Sequence, residues 1–189
     1  WVLSRMVIEM ISHPTMLQPF TITTWVEEIN KFFTSRCFAI RNEAGEAIGY
    51  CRTLWAAIDL ETRKPTDLSL LLNNLGSFIV DEPCPIEKPG KIQAAERDTP
   101  GIPYKVCYSD LDVNGHFNSI KYMEHLLNMF DIEMFRHKEV SRFEIAYMAE
   151  GKYGMELSLH KKEITPDRYI TSICDEAGKA ICRAEITWK

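Results

Sequence analysis

Asp110, Asp112, Asn114 and His116 fall on alternate positions of "SDLDVNGHFNSIKYMEHLL", residues 109–127, and Asn118 carries the row to the start of a helical pattern. In an extended chain alternate side chains point the same way, so this spacing gathers two carboxylates, an amide and an imidazole on one side. His116 can carry or relay a proton near neutral pH, and Asp112 can orient it. The first turn of the helix leaves backbone N–H groups free to hold a carbonyl oxygen as negative charge develops on it, and Gly115 lets the backbone approach a substrate closely. Together these are the parts that acyl transfer to water requires. The same residue types also suit a capped helix-entry loop, so by itself the row leaves both readings open. Glu150 in "YMAEGKYG" is a second acidic candidate. At the end of an apolar run and directly before Gly151, a partly buried carboxylate would have a raised pKa and could act as a base; an exposed Glu at a bend is the plainer alternative.

The elements around these residues follow from periodicity. "FTITTWVEE" alternates in the manner of a strand, and "FFTSRCFAIRNEAGEAIGYCRTLWAAIDLET" reads as two strands joined at "NEAGE", with Gly45 supplying the turn. Strands near 20–30, 32–41 and 46–60, with "WVLSRMVIEMI" as a fourth, make an antiparallel meander. Between about 64 and 103 six prolines break any regular run, so this segment reads as a surface-lying linker containing one short helix in "DLSLLLNNLGSFI". Beyond it, "IPYKVCYSD" is a short strand. A helix opens at Asn118 or Ser119, both good N-caps, with Ile120, Met123, Leu127 and Phe130 as its apolar stripe. Asp131 caps a second helix through about His137. "RFEIAYMAEGKYGMELSLHKKEI", "DRYITSICDEAG" and "KAICRAEITWK" are then three strands. The stretches "NEAGEAI" and "DEAGKAI" sit inside matching hydrophobic runs, which marks an internal repeat. The fold class is therefore α+β, in two modules, with the domains at 1–64 (a partial N-terminal module), 65–103 (linker) and 104–189 (the module with the motif). The first copy shows no helix ahead of its sheet. A bare sheet face would be a large exposed apolar surface, so the expectation is that about 50 residues precede Trp1 or that a partner covers the face.

Bulk composition narrows the function classes. With 189 residues, 46% hydrophobic and 26% charged, and no apolar run of spanning length, the sequence predicts a soluble protein without a membrane span. A formal charge of −5 argues against a nucleic-acid partner, which calls for clustered Lys and Arg. The six cysteines show no C-x-x-C pair and no metal-ligand spacing, so the expectation is no zinc, no cofactor and free thiols in a reducing compartment. That suggests the cytoplasm.

"YSDLDVNGHFNSIKY" resembles "WSDLDVNxHVNNxKY", the hallmark of the acyl-acyl-carrier-protein thioesterases. "WVLSRMVIEMISHPTMLQPFTITTWV" is similar to the family's "WVVTRMxVxVxRYPxxGDxVxVxTWV", "LWAAIDLETRKP" to "xWVMMNxxTRRL", and "AEITWK" to its closing "TEW". The resemblance runs in order through essentially all 189 residues. It implies a tandem (double) hotdog, each module an antiparallel sheet wrapped around a helix, the first module here lacking its N-terminal strand and helix. It also implies hydrolysis of fatty acyl-acyl carrier protein thioesters, with acyl carrier protein as the partner. The family's catalytic Asn and His fall on Asn114 and His116 and its preceding Asp on Asp112. Where the plant members carry Glu–Cys in "YRRECGRD", this chain has Ala149 and Glu150 ahead of Gly151, which favours attack by water over a Cys nucleophile. Glu150 and His116 would activate that water, while Asn114 and the backbone N–H groups at Phe117 and Asn118 polarise the carbonyl. The acidic carrier calls for a basic patch, for which Lys121, Arg136 and Lys138 are the candidates. The motif is also similar to that of hotdog acyl-CoA thioesterases, and a non-hydrolytic acyl-binding module is the third reading. Whether the chain acts as a monomer of two pseudo-dimeric modules or as a homodimer is open at this point.

Overall fold

A computed structural model of the chain describes all residues except 60, 63, 70–75 and 97. The chain separates into two compact units, Trp1–Gly90 and Lys91–Lys189. In the first unit β1 (Val2–Met10), β2 (Phe20–Ile29), β3 (Phe33–Asn42) and β4 (Ala47–Ala56) form an antiparallel sheet in the order β2-β3-β4-β1. β4 stops four residues before the sequence pattern suggested, at Ala56. One face of this sheet carries Val7, Trp25, Cys37 and Ala39, closed by Cys84 and Ile86 from the following segment. The Trp25 indole donates to the Glu82 carbonyl at 2.7 Å, and the Arg52 guanidinium bridges Glu27 and the Cys84 carbonyl. The other face borders a cavity of about 570 Å³ lined by Thr24, Val26, Thr34, Trp55 and Phe78 among others.

The second unit repeats the plan. β5 (Ile102–Lys105), β6 (Val140–Tyr147), β7 (Glu156–Thr165), β8 (Arg168–Cys174) and β9 (Ala180–Trp188) pair antiparallel in the order β5-β7-β8-β9-β6. The helix α1 (Ser119–Leu127) packs against β8, and α2 (Ile132–His137) follows it. Tyr122, Leu126 and Phe130 are the buried side of this helical segment, whereas Ile120 is 56% exposed. The apolar stripe is thus rotated from the one that Ile120, Met123 and Leu127 suggested. An aromatic was the better core anchor: Tyr122 meets Tyr147 edge-on, and Phe130 packs on Tyr169 and Trp188. α1 is also shorter than a single long helix, since the chain leaves it at Asn128 before Asp131 caps α2.

The opposite face of this sheet is covered as well. Ala95 is fully buried, its N–H donates to Ser172, and Glu96 holds both Ser172 and Arg183. Coverage on both faces explains why Tyr169–Cys174 is buried without a break. The proline-containing stretch over 81–95 forms neither helix nor strand, and most of its residues are exposed, while Cys84, Ile86, Ile92 and Ala95 are buried. The short helix expected within 67–79 falls mainly on 70–75, outside the described residues; Gly76–Phe78 is a 3-10 turn.

The repeat is visible bond by bond. In the β3–β4 turn Gly45 donates to the Asn42 carbonyl and Glu46 N–H to Asn42 Oδ1, both at 2.9 Å; in the β8–β9 turn Gly178 donates to the Asp175 carbonyl and Lys179 N–H to Asp175 Oδ1, both at 2.9 Å. Gly45 and Gly178 have φ of 82° and 76°, a conformation that excludes most side chains. The expected single strand over 142–164 is instead β6 and β7, parted at 148–155, where Gly154 turns the chain at φ 77°. That interruption is where Glu150 sits. Among the described residues no helix is long and apolar enough to cross a membrane.

Candidate active site

The motif does not run extended. Tyr108–Asp110 is a 3-10 turn, Leu111 bridges Phe117, and the five residues between them make a tight loop with Gly115 at φ 74°. A Cβ on Gly115 would meet nothing within 4 Å, so glycine serves the turn there rather than a close approach. Asp112 closes the loop with its side chain: Oδ1 accepts the N–H of Asn114 at 2.8 Å and of His116 at 3.0 Å. Burial pushes the Asp112 carboxyl upward, but these backbone bonds and the neighbouring His116 outweigh it and hold its pKa below the ordinary value. Asp112 therefore orients His116 through its backbone, not through its ring.

Asp110 points elsewhere. It is 3% exposed and accepts from the Tyr104 hydroxyl at 2.6 Å and Cys107 N–H at 2.7 Å through Oδ2, and it meets His125 Nε2 at 2.9 Å through Oδ1. Its carbonyl accepts the Asn118 N–H at 2.8 Å, which ties the two ends of the motif loop together. Asn118 then caps α1, its side chain accepting from Ile120 N–H at 3.0 Å. The even row of Asp110, Asp112, Asn114 and His116 is thus divided, with Asp110 buried beneath the loop and the rest in the turn.

His116 faces Glu150. Nε2 lies 3.6 Å from Glu150 Oε2, with the two side chains 35% and 38% exposed. The distance is just beyond a direct hydrogen bond and is reached by a bridging water or a small rotation. The two loops are stitched by backbone: Phe117 N–H donates to the Gly151 carbonyl at 2.9 Å, and His116 bridges Lys152. A Cβ on Gly151 would fall 2.7 Å from Phe117 Cδ1, so this approach requires glycine. Two half-exposed titratable groups held opposite each other by a rigid backbone can share and move a proton. Among the described residues no group of three His, Cys, Asp or Glu side chains converges to hold a metal.

Two family models match this chain: the acyl-ACP thioesterase N-terminal domain over residues 1–70 and the acyl-ACP thioesterase C-terminal domain over residues 93–189. The chain belongs to the acyl-ACP thioesterase family. An acyl-ACP thioesterase structure from Bacteroides thetaiotaomicron is 39% identical, with a TM-score of 0.93 over all of this chain and 76% of that one. A 12:0-ACP thioesterase from Umbellularia californica shares the fold at 22% identity and a TM-score of 0.85, covering 100% of this chain and 75% of that one. A chloroplastic acyl-[acyl-carrier-protein] hydrolase from Cuphea viscosissima is 28% identical over 155 residues, 79% of this chain and 38% of its own length. The chain therefore spans well under half of that curated relative. These structures carry the hotdog architecture, and the α+β class expected from the sequence agrees with them.

Within the acyl-ACP thioesterase frame, Asp112, Asn114, His116 and Glu150 share one corner of the second unit. The backbone N–H groups of Phe117 and Asn118 do not serve as expected: both already donate to carbonyls, of Gly151 and Asp110. Neither is free for a substrate oxygen, whereas the Asn114 side chain is exposed. Lys121 pairs with Glu124, Arg136 with Glu133 and Lys138 with Asp167, so the stretch expected to be basic is close to neutral. Sequence reasoning passed over Tyr104, His125 and Tyr122. The available signal was two polar aromatics, Tyr122 and His125, three residues apart on the helix; buried hydroxyls and imidazoles need partners.

Proposed function

We propose that the chain hydrolyses fatty acyl-acyl carrier protein thioesters to free fatty acid and carrier thiol, and that the module over 104–189 performs the chemistry. The carrying observation is the His116–Glu150 pair at 3.6 Å, half-exposed and fixed by backbone bonds from both loops. Water held between them attacks the thioester carbonyl carbon while the pair takes its proton. The Asn114 amide polarises the carbonyl oxygen as it becomes negative. The C–S bond then breaks, the carboxylic acid departs, and the thiolate takes the proton back from the pair. Asp112 keeps the His116 backbone in its turn. This needs no Cys nucleophile, and the five buried thiols have no part in it. Unpaired thiols suit the cytoplasm or another reducing compartment.

Thiol release from acyl-acyl carrier protein at pH 7 tests the reading. His116→Ala and Glu150→Gln should each lower turnover about 100-fold or more with the melting temperature unchanged; full turnover by His116→Ala would overturn it. Parallel assays on the acyl-CoA ester decide the carrier. Release from neither ester would leave an acyl-binding module.

A further inference from the structure

Glu150 lies in a segment with no regular structure of its own, between the end of β6 at Tyr147 and the start of β7 at Glu156. Tyr122 reaches it from the first turns of α1. The Tyr122 hydroxyl accepts the Gly151 N–H at 2.9 Å and donates to the Ala149 carbonyl at 3.3 Å. Those two groups flank Glu150, so a single hydroxyl ties the backbone on both of its sides. The ring itself is fixed. It is 3% exposed, stacks on Phe117 at 4.1 Å between centroids, and meets Tyr147 edge-on at 5.5 Å. Tyr147 in turn donates to the Ser119 carbonyl at 3.0 Å, which anchors it to the same helix. Gly151 leaves no slack, since a Cβ there would come within 3.1 Å of the Tyr122 oxygen as well as striking Phe117. Burial pushes the Tyr122 hydroxyl pKa well above the ordinary value, against the smaller opposing effect of the Gly151 N–H, so near neutral pH it is both donor and acceptor.

We propose that Tyr122 is a positioning residue that holds Glu150 within reach of His116 and acts on the reaction only through that carboxylate. This rests on the reading of His116 and Glu150 as the reacting pair. Misplacement of a catalytic group by about 1 Å costs on the order of 100-fold. Loss of the hydroxyl should therefore be felt in turnover and not in substrate binding.

The experiment is a double-mutant cycle in the full chain, with acyl-acyl carrier protein as substrate and free thiol as readout. Tyr122→Phe should lower kcat at least tenfold with KM within twofold of the parent, and should cost nothing further in a Glu150→Gln background. Tyr169→Phe, a hydroxyl deletion in the same unit whose bonds go to Glu163 and the Pro166 carbonyl, should stay within twofold. Full kcat in Tyr122→Phe overturns the proposal. So does the same fold-loss in the Glu150→Gln background, which would make Tyr122 a packing residue. Wild-type turnover in Glu150→Gln would show that the reacting pair was misassigned, and the proposal falls with it, by a different arm. Should Tyr122→Phe fail to fold, amide exchange of Gly151 in the unmodified protein decides: protection of at least 100-fold supports the clamp, and exchange at the free-peptide rate overturns it.

Discussion

Asp110 accepts from Tyr104, Cys107 N–H and His125 beneath the motif loop. Burial pushes its carboxyl upward, but the three partners outweigh that and hold its pKa below the ordinary value. A depressed folded pKa means stability that is present above the unfolded pKa, near 4, and is lost as pH falls through the lower folded value. Asp110→Asn should therefore cost about 1.5–3 kcal/mol at pH 7. In denaturant melts the gap from the parent should shrink as pH drops below about 4; a gap that persists unchanged at pH 2 would sink this account. His116 and Glu150 call for a different measurement, because their exposure makes them poor stability contributors. Their substitution should be read in turnover. At this scale the sequence named residue types but not their directions. Asp110 and Asp112 look equivalent in "SDLD", yet one turns inward to Tyr104 and His125 and the other back onto its own loop, since only a helix and a strand brought alongside can supply the first set of partners.

The elements that the sequence made plain are those set by local chemistry. Asn118 and Asp131 cap their helices with side-chain oxygens accepting from Ile120 and Glu133 N–H, as their residue types and positions indicated. The paired turns at Asn42–Glu46 and Asp175–Lys179 are legible for the same reason. They also supply a test of the repeat. Neither Gly45 nor Gly178 would have an added Cβ in contact with anything within 4 Å, so substitution there changes only backbone strain. Gly45→Ala and Gly178→Ala should each destabilise by about 1–2 kcal/mol, and Asn at either site should recover part of the loss because it tolerates positive φ. Unequal effects would mean that the two hairpins are not equivalent. The helix stripe was less legible. Tyr122 is polar enough to be left out of an apolar pattern, yet it is 3% exposed because two loop backbone groups and two aromatic rings await it.

Over the whole chain, all six cysteines are free thiols and only Cys107 is exposed. Burial pushes the Cys37 and Cys51 thiols up to about 12 and Cys174 to about 11, so these cannot act as thiolates near neutral pH. A colorimetric thiol reagent should find one fast-reacting group in the native protein and six after denaturation, and alkylation of that one group should leave turnover within twofold of the parent. Thiol-dependent inactivation would return the mechanism to a Cys nucleophile. The sequence by itself determined the α+β class, the repeated hairpins, the helix caps and the motif that marks the family, because each is written in neighbouring residues. Only the tertiary structure decided what the motif does with its parts. It split the expected strand so that Glu150 sits in a loop, engaged the Phe117 and Asn118 N–H groups, paired Lys121, Arg136 and Lys138 with carboxylates, and set Tyr122 across Glu150. The physical reason is the same in each case: a buried or paired polar group is defined by its partner, and these partners, from a neighbouring turn to a distant strand, are fixed only when the chain folds back on itself.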